Sequence, residues 1–237
     1  MTNFNIKIVS DTVCPWCYIG KRRLDRAIEL YRKTVPGGRD DTFTISWHPF
    51  YLDPTAPKAG VPLRERLSEK FGPSAWPAIV QRLTQVGREE GIAFRFDSRT
   101  GNTRDSHRLV QLGRTKGGAE GQGRVVAALF RLYFEQGGDI TSHESLLAAA
   151  EAAGLDRGEA RAWLDDDSRG GPEVDREVDE AYAQGIHGVP NFTINDKYQI
   201  NGAQDPQAFL EQFAKVKAGE KPKEAEGPVC APGGENC

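Results

Sequence analysis

The chain has 237 residues, and 38% of them are hydrophobic, which is enough to bury the core of one large domain. Its formal net charge of −3 lacks the strongly basic character of nucleic-acid-binding proteins. No apolar run reaches membrane-spanning length, and no secretory signal pattern precedes the first predicted strand. We therefore expect a soluble cytoplasmic protein whose partners include neither nucleic acids nor membranes.

The first predicted strand covers residues 5–10, and a helix with an apolar stripe is predicted over about residues 16–34. Cys14, Pro15, Trp16 and Cys17 lie where these two elements meet. Because the N-terminus of a helix favours an anion, Cys14 is expected to react as a thiolate. Cys17, one turn further along, is placed to attack a mixed disulfide formed on Cys14. This pattern predicts a dithiol–disulfide enzyme.

A zinc site is the main alternative interpretation of two cysteines at this spacing. Such a site needs four ligands, and the other cysteines of the chain are Cys230 and Cys237, with six residues between them. Structural zinc pairs usually have about two to four intervening residues. Pro15 is also preorganised for a first helical turn. We therefore predict redox chemistry and no metal.

The remaining elements follow in chain order. Residues 42–50 form a predicted second strand that ends near Pro49, and a loop over residues 53–61 follows it. Strands at 189–194 and 197–200 flank the turn signal Asn195-Asp196, and a final helix covers 206–217. Between these two groups of strands the pattern is helical, apart from an extended piece at 92–96. The helices are predicted at about 62–72, 75–91, 103–117, 121–136, 142–153, 158–166 and 173–186.

This order resembles the thioredoxin fold, because the CPWC stretch follows the first strand and Gly188-Val189-Pro190 opens the third. The helical block resembles the insertion of the DsbA family. Tyr18-Ile19-Gly20, and Asn102-Thr103 followed by Ser106-His107-Arg108, resemble its FrnE-like branch of soluble oxidoreductases. The resemblance implies an α/β thioredoxin-like fold with a large all-helical insertion between the β-α-β and β-β-α halves. The implied domains are residues 1–55 with 188–218 and an inserted helical domain at 56–187. The composition of residues 219–237, which is rich in Lys, Glu, Pro and Gly, predicts a flexible tail outside the common fold.

The resemblance also implies roles for individual residues. Cys14 matches the attacking thiol, Cys17 the resolving thiol, and Pro190 the cis-proline that faces them. The backbone of Val189 would then pair with a bound peptide as an added strand. Three further side chains are candidate substrate contacts, although a structural role is the alternative for each histidine: Trp16, His48 and His107.

The C-terminal segment suggests a second redox couple. Cys230 and Cys237 would exchange with the CPWC pair, since eleven flexible residues give a root-mean-square span of about 18 Å. Two exposed thiols without a redox partner are the alternative. If replacing both cysteines by serine changed neither turnover nor reduction potential, that alternative would be supported.

The function predicted from the sequence is thiol–disulfide exchange on protein or peptide thiols, as a reductase, isomerase or oxidase. The thioredoxin and glutathione systems are candidate partners, as is a second copy of the chain in a homodimer. No cofactor is expected beyond glutathione as an electron donor. One alternative is a glutathione-dependent transferase or isomerase, similar to the kappa-class transferases and hydroxychromene-carboxylate isomerases, which typically have serine at the position of Cys14. Another is a non-catalytic chaperone that binds peptides beside Pro190.

Overall fold

The computed structural model describes residues 1–219. A central sheet is formed by β1 (Asn3–Ser10), β2 (Thr42–Pro49), β5 (Asn191–Ile194) and β6 (Tyr198–Asn201) in the order β2-β1-β5-β6. β1 pairs with β2 in parallel and with β5 antiparallel, and β5 and β6 form an antiparallel hairpin. Helix α1 (Pro15–Thr34) connects β1 to β2, and α8 (Pro206–Ala218) follows β6. This is the predicted α/β thioredoxin-like arrangement.

The insertion between β2 and β5 is mainly helical, as predicted. Its helices are α2 (Leu63–Phe71), α3 (Trp76–Glu90), α4 (Arg104–Phe130), α5 (His143–Ala152), α6 (Arg157–Leu164) and α7 (Gly171–Ala183). Pro73–Ala75 is a 3₁₀ turn, and Arg131–Glu135 continues α4 as a π-helical turn. None of the helices within residues 1–219 combines the length and apolar composition that crossing a membrane requires.

The insertion differs from the sequence prediction in two places. Residues 92–96 interrupt the helices, as predicted, but they pair with no strand, and Arg95 N donates to the carbonyl of Phe134 (2.6 Å). The insertion is also not entirely helical, since β3 (Val61–Pro62) pairs with β4 (Arg99–Thr100). The two helices predicted at 103–117 and 121–136 are joined in α4, with non-helical backbone at Gly117 and Gly118 marking their boundary.

A cluster of aromatic rings forms the core between the sheet and the helices that follow β1 and β6. Phe4 of β1 stacks on Phe43 of β2 with ring centroids 4.6 Å apart, and both lie edge-on to Phe213 of α8. Tyr31 of α1 completes the cluster. Alternate residues of β1 point into this core, which fixes the register of the strand that leads to the CPWC stretch.

Several polar contacts attach the insertion to this domain, and two of them involve buried side chains of α3 and α4. Glu90, at the end of α3, is buried and forms ion pairs with Arg23 (2.7 Å) and Arg26 of α1. Gln122 of α4 hydrogen-bonds both backbone groups of Trp47 in the edge strand β2, accepting at 2.9 Å and donating at 2.7 Å. The second contact satisfies backbone groups that an edge strand would otherwise leave unpaired.

Asp41 gives the fold a predictable response to acid. Its buried carboxylate accepts from the Tyr31 hydroxyl, from Thr2 N and from Lys217 Nζ at 2.6 Å. The Lys217 ammonium, more than the other contacts, holds the pKa of Asp41 well below its usual range. A carboxyl with a depressed pKa stabilises the fold fully above the unfolded-state pKa of about 3.9, and this contribution disappears as pH falls towards the folded-state pKa.

We therefore expect Asp41→Asn to flatten the acid limb of the stability profile. Urea unfolding at a series of pH values measures this. Wild type should lose stability as the pH falls below about 4, and the variant should start less stable at pH 7 and lose less. Asp97→Asn, at an exposed position paired with Arg95, serves as the control. Parallel acid limbs for wild type and Asp41→Asn would contradict the assignment.

Candidate active site

The CPWC stretch lies at the junction that the sequence predicted. Cys14 is the residue that precedes α1, and Pro15 is the first residue of that helix. The Cys14 N–H donates to the carbonyl of Asp11 at 3.0 Å, and the Cys14 carbonyl accepts from the N–H groups of Cys17 (3.1 Å) and Tyr18 (3.4 Å). These bonds hold the Cys14 thiol at the N-terminal end of a 20-residue helix.

The segment before β5 faces this thiol. The peptide bond between Val189 and Pro190 is cis. The Cys14 thiol donates to the Val189 carbonyl, with 3.6 Å between Sγ and oxygen, although 175 positions separate the two residues. The structure thus places Cys14, Val189 and Pro190 together, and it describes both Cys14 and Cys17 as free thiols.

The environment of Cys17 makes the two thiols unequal. Cys17 is 1% exposed, and this burial raises the pKa of its thiol well above the ordinary value. The neighbouring Cys14 thiol raises it further, whereas the Ser10 hydroxyl and the backbone of Asp11 hydrogen-bond to the sulfur and act in the opposite direction. Cys17 is therefore protonated at neutral pH. It can attack a neighbouring disulfide only after losing its proton.

A buried carboxylate and imidazole lie beside the thiols. Asp11 Oδ1 is 3.4 Å from His107 Nε2, and both side chains are at most 6% exposed. Asp11 Oδ2 accepts from the N–H of Leu52 at 2.9 Å. Neither Oδ1 nor Nε2 has a hydrogen-bond partner within residues 1–219, so the 3.4 Å contact is close without hydrogen-bond geometry. Sequence reasoning missed Asp11, although an acidic residue three positions before Cys14 at the end of a buried strand was a usable signal.

His48 has a structural partner instead of a place beside the thiols. Its Nδ1 is 2.9 Å from Glu177 Oε2 on α7, and its Nε2 is 3.1 Å from the Ser46 hydroxyl. Burial acts to raise the pKa of Glu177, but the contacts with His48 and Gln111 outweigh it and the pKa is lowered. The geometry therefore offers no support for the predicted contact between His48 and substrate.

A cavity of about 590 Å³ opens between the CPWC stretch and the insertion. Cys14, Trp16 and Val189, for which the sequence predicted an attacking thiol and two substrate contacts, are among the residues that line it. The residues that line it do not include His48 or His107. Most of the wall is apolar and comes from α2, α3 and the loops that follow β2 and α3: Leu52, Leu63, Leu67, Phe71, Ile79, Leu83, Phe94 and Phe96.

The predictions about the C-terminal cysteines and about a metal remain predictions. Cys230 and Cys237 lie outside the described residues. Within residues 1–219 no three His, Cys, Asp or Glu side chains are grouped as a metal site requires.

Gly20 of α1 allows the helix to approach the proline segment. A Cβ at this position would lie 3.0 Å from Cζ of Phe192 and 3.1 Å from Cγ of Pro190. We expect Gly20→Val to push Pro190 and Val189 away from Cys14. The free energy of unfolding should fall by about 1–3 kcal/mol, as for overpacked core sites.

The measurements are urea unfolding and the rate of thiol exchange at Cys14. Gly123→Val is the matched control on α4, because nothing lies within 4 Å of its Cβ position. Equal effects of the two substitutions on stability and on exchange would contradict the role of Gly20.

This sheet topology, with a dithiol at the start of the first helix and a cis-proline segment against it, defines a thioredoxin-like dithiol protein. Residues 5–214 match the DSBA-like thioredoxin domain, and the chain therefore belongs to that family. The predicted membership of the DsbA family is confirmed.

Solved structures agree with this assignment. The chain is similar to the Streptomyces coelicolor protein SCO1869, named a probable DsbA oxidoreductase, at 30% identity over 98% of this chain and 97% of that one, with a TM-score of 0.79. It shares its fold with a 2-hydroxychromene-2-carboxylate isomerase (17% identity, 90% and 95% coverage, TM-score 0.64). It also shares its fold with the cytosolic disulfide reductase DsbM of Pseudomonas aeruginosa (17% identity, 90% and 95% coverage, TM-score 0.56).

Proposed function

We propose that this protein catalyses thiol–disulfide exchange through Cys14 and Cys17. The observation that carries the proposal is the unequal access to the two thiols: both are buried, Cys14 3% and Cys17 1% exposed, but Cys14 lines the cavity at the start of α1 and Cys17, one turn further along, is not among the lining residues. Membership of the DSBA-like family supports the same chemistry. The FrnE-like branch is the part of that family whose residues this chain resembles.

In the reducing direction, the Cys14 thiolate attacks one sulfur of a substrate disulfide. A bond forms between that sulfur and Cys14, and the other substrate sulfur leaves as a thiolate. Cys17 then loses its proton and attacks Cys14 Sγ, which releases the second substrate thiolate and leaves a Cys14–Cys17 disulfide. Two electrons pass from the protein to the substrate. The oxidising direction is the reverse sequence, and reduction potentials decide between the two.

The partners in this proposal are protein or peptide thiols and disulfides. Their backbone would bind at the Val189 carbonyl, which lies beside Cys14. Glutathione or a thioredoxin system would restore the dithiol. The neighbour DsbM has been solved with GSH, which supports testing glutathione first. DsbM is also cytosolic by name, in keeping with a cytoplasmic location for this chain. A homodimer is tested separately by sedimentation.

Insulin reduction and a reduction potential test the proposal together. Wild type should accelerate insulin precipitation by dithiothreitol, and Cys14→Ser should not. Equilibration in glutathione redox buffers gives the potential, where about 30 mV corresponds to 1.4 kcal/mol. Full activity of Cys14→Ser with glutathione conjugates would favour the transferase or isomerase alternative. Binding of unfolded clients that persists when both Cys14 and Cys17 are replaced by serine, without any exchange, would favour the chaperone alternative.

The C-terminal cysteines extend the proposal to an internal electron relay. Reduced Cys230 and Cys237 would attack the Cys14–Cys17 disulfide, pass two electrons to it and become a Cys230–Cys237 disulfide, which a protein reductant would reduce again. Replacing both by serine should then slow turnover with a protein reductant while leaving the first exchange at Cys14 intact. If turnover and the reduction potential of the Cys14–Cys17 pair were the same with and without the two tail thiols, the relay would be rejected.

A further inference from the structure

The cavity beside Cys14 has the dimensions of a small-molecule site. Its volume of about 590 Å³ lies within the range of about 300–1,000 Å³ that such ligands occupy. The apolar lining includes Phe71 of α2, which is 56% exposed, and Leu52, which is 39% exposed. Large apolar side chains of the lining are thus accessible to solvent. Apolar lining of this kind favours a ligand with an aromatic or aliphatic body.

The charges along the lining are unbalanced. Two of the basic side chains that line the cavity are neutralised, Arg66 by Asp53 and Arg95 by Asp97. Asp11, the other lining carboxylate, is only 1% exposed and lies against His107.

Two basic side chains of the lining remain. No carboxylate within residues 1–219 pairs with Lys70 or Arg82, and their recorded contacts are with aromatic rings. Both residues are exposed, so an anion entering the cavity can reach them.

Of these two cations, Arg82 contacts a residue of the CPWC stretch. Its guanidinium lies 5.0 Å from the ring centroid of Trp16, which is two residues after Cys14. The ring supports the guanidinium through a cation–π contact and leaves its N–H donors available. A planar guanidinium binds a carboxylate through two parallel hydrogen bonds. A carboxylate seated on Arg82 would therefore keep the rest of its molecule beside Cys14.

We propose that the cavity binds a low-molecular-weight disulfide that has an apolar body and a carboxylate, with the body on the α2–α3 wall, the carboxylate on Arg82 and the disulfide at Cys14. This inference rests on the proposed function, because Cys14 remains the attacking thiol. The Cys14 thiolate forms a bond to one ligand sulfur and the other ligand thiolate leaves. Cys17 then displaces the first thiolate, and an external monothiol or dithiol reduces the resulting Cys14–Cys17 disulfide.

A matched pair of probes tests the carboxylate. One is diphenyl disulfide with para-carboxylates, and the other is the same disulfide with para-carboxamides. At low ionic strength we expect Arg82→Gln to lower kcat/KM for the dicarboxylate about tenfold or more, because the charged pair of hydrogen bonds is lost at a site that water reaches. The value for the dicarboxamide should change by less than about twofold. Arg88→Gln, on the same helix but outside the lining, should affect neither probe.

Binding without chemistry gives a second readout. The corresponding dicarboxylate thioether has no disulfide and cannot exchange. Isothermal titration calorimetry compares its binding to Cys14→Ser with its binding to the variant that carries both Cys14→Ser and Arg82→Gln. The variant that also lacks Arg82 should bind it more weakly. Added salt should reduce this difference. Equal losses for both disulfide probes in Arg82→Gln would mean that Arg82 only supports Trp16, and would overturn the proposal.

The outcomes also separate this inference from the proposed function. Reduction of insulin without any preference for the dicarboxylate over the dicarboxamide would leave thiol–disulfide exchange standing and reject the small-molecule ligand, in favour of a peptide. A preference for glutathione disulfide over the dicarboxylate would reject the apolar body. If wild type reduces neither insulin nor any small disulfide, the proposed function itself fails.

Discussion

Replacing Cys17 by serine should arrest the protein as a mixed disulfide on Cys14. The first step needs only the Cys14 thiol that lines the cavity, so attack on a substrate disulfide still proceeds. The second step needs a sulfur at position 17, and serine cannot supply it. The buried site should accept the hydroxyl, because the Ser10 hydroxyl and the Asp11 backbone already contact the atom at this position. Multiple turnover should fall to the uncatalysed rate.

Mass spectrometry of the variant after incubation with a peptide disulfide should show one covalently attached peptide, released by dithiothreitol. Cys14→Ser is the matched control and should trap nothing. Wild type should instead accumulate the Cys14–Cys17 disulfide. An adduct on Cys14→Ser, or one on Cys17 in wild type, would reverse the assigned roles of the two thiols.

The raised pKa of Cys17 adds a pH dependence to the same reaction. Only the thiolate attacks, and below its pKa the thiolate fraction of Cys17 rises about tenfold per pH unit. Release of the second substrate thiolate should therefore accelerate with pH between about 6 and 8, measured by quenching single turnovers with acid. The lifetime of the mixed disulfide in wild type should shorten correspondingly. A pH-independent lifetime would contradict the protonated state inferred for Cys17.

Local sequence signals account for the parts of the structure that were predicted well. The alternation in β1, the proline that opens α1 and the Asn195-Asp196 turn each act over a few residues. The turn residues take φ values of 51° and 58°, which asparagine and aspartate tolerate better than most residues. The junction of β1 and α1 alone was enough to place Cys14 at the start of α1. Placing Pro190 opposite Cys14 required the resemblance, since spacing along the chain carries no such information.

The contacts that were missed join residues far apart in sequence. His107 meets Asp11 across 96 positions, and His48 meets Glu177 across 129. Neither partner has a local pattern that marks it, so a histidine predicted to bind substrate could not be distinguished from one that holds a buried carboxylate. The β3–β4 ladder has two residues per strand and is too short to produce an alternating pattern. Arg82 was overlooked because its importance depends on Trp16 lying beneath it.

Arg108→Leu should be the most destabilising single substitution outside the CPWC stretch. The Arg108 side chain is 0% exposed, and its guanidinium reaches the chain where α6 ends. It donates to the carbonyls of Trp163 (2.6 Å), Leu164 (3.1 Å), Arg169 (3.0 Å) and Asp166. The carbonyls at a helix C-terminus have no hydrogen-bond donor within the helix. Here one buried guanidinium donates to several of these carbonyls at once.

Leucine fills much of the same space but leaves these carbonyls, and the Asp105 carboxylate that pairs with Arg108 at 2.8 Å, without their donor. Removing one partner of a buried charged contact costs about 3–5 kcal/mol. We expect a loss of that size in urea unfolding, with Tm lower by roughly 10 °C. Arg108→Lys should be intermediate, because it keeps the charge but has three donors in place of five.

Arg157→Leu is the matched control on α6 itself. Arg157 pairs with Glu144 and Glu151 at the surface, and its loss should leave the unfolding transition nearly unchanged. Arg108 belongs to the stretch that resembles the FrnE-like branch, so the experiment also decides what that resemblance means at this position. If Arg108→Leu folded as stably as wild type while losing exchange activity, the residue would serve the reaction. The buried network around it predicts the opposite, a destabilised protein whose folded fraction still exchanges thiols at Cys14.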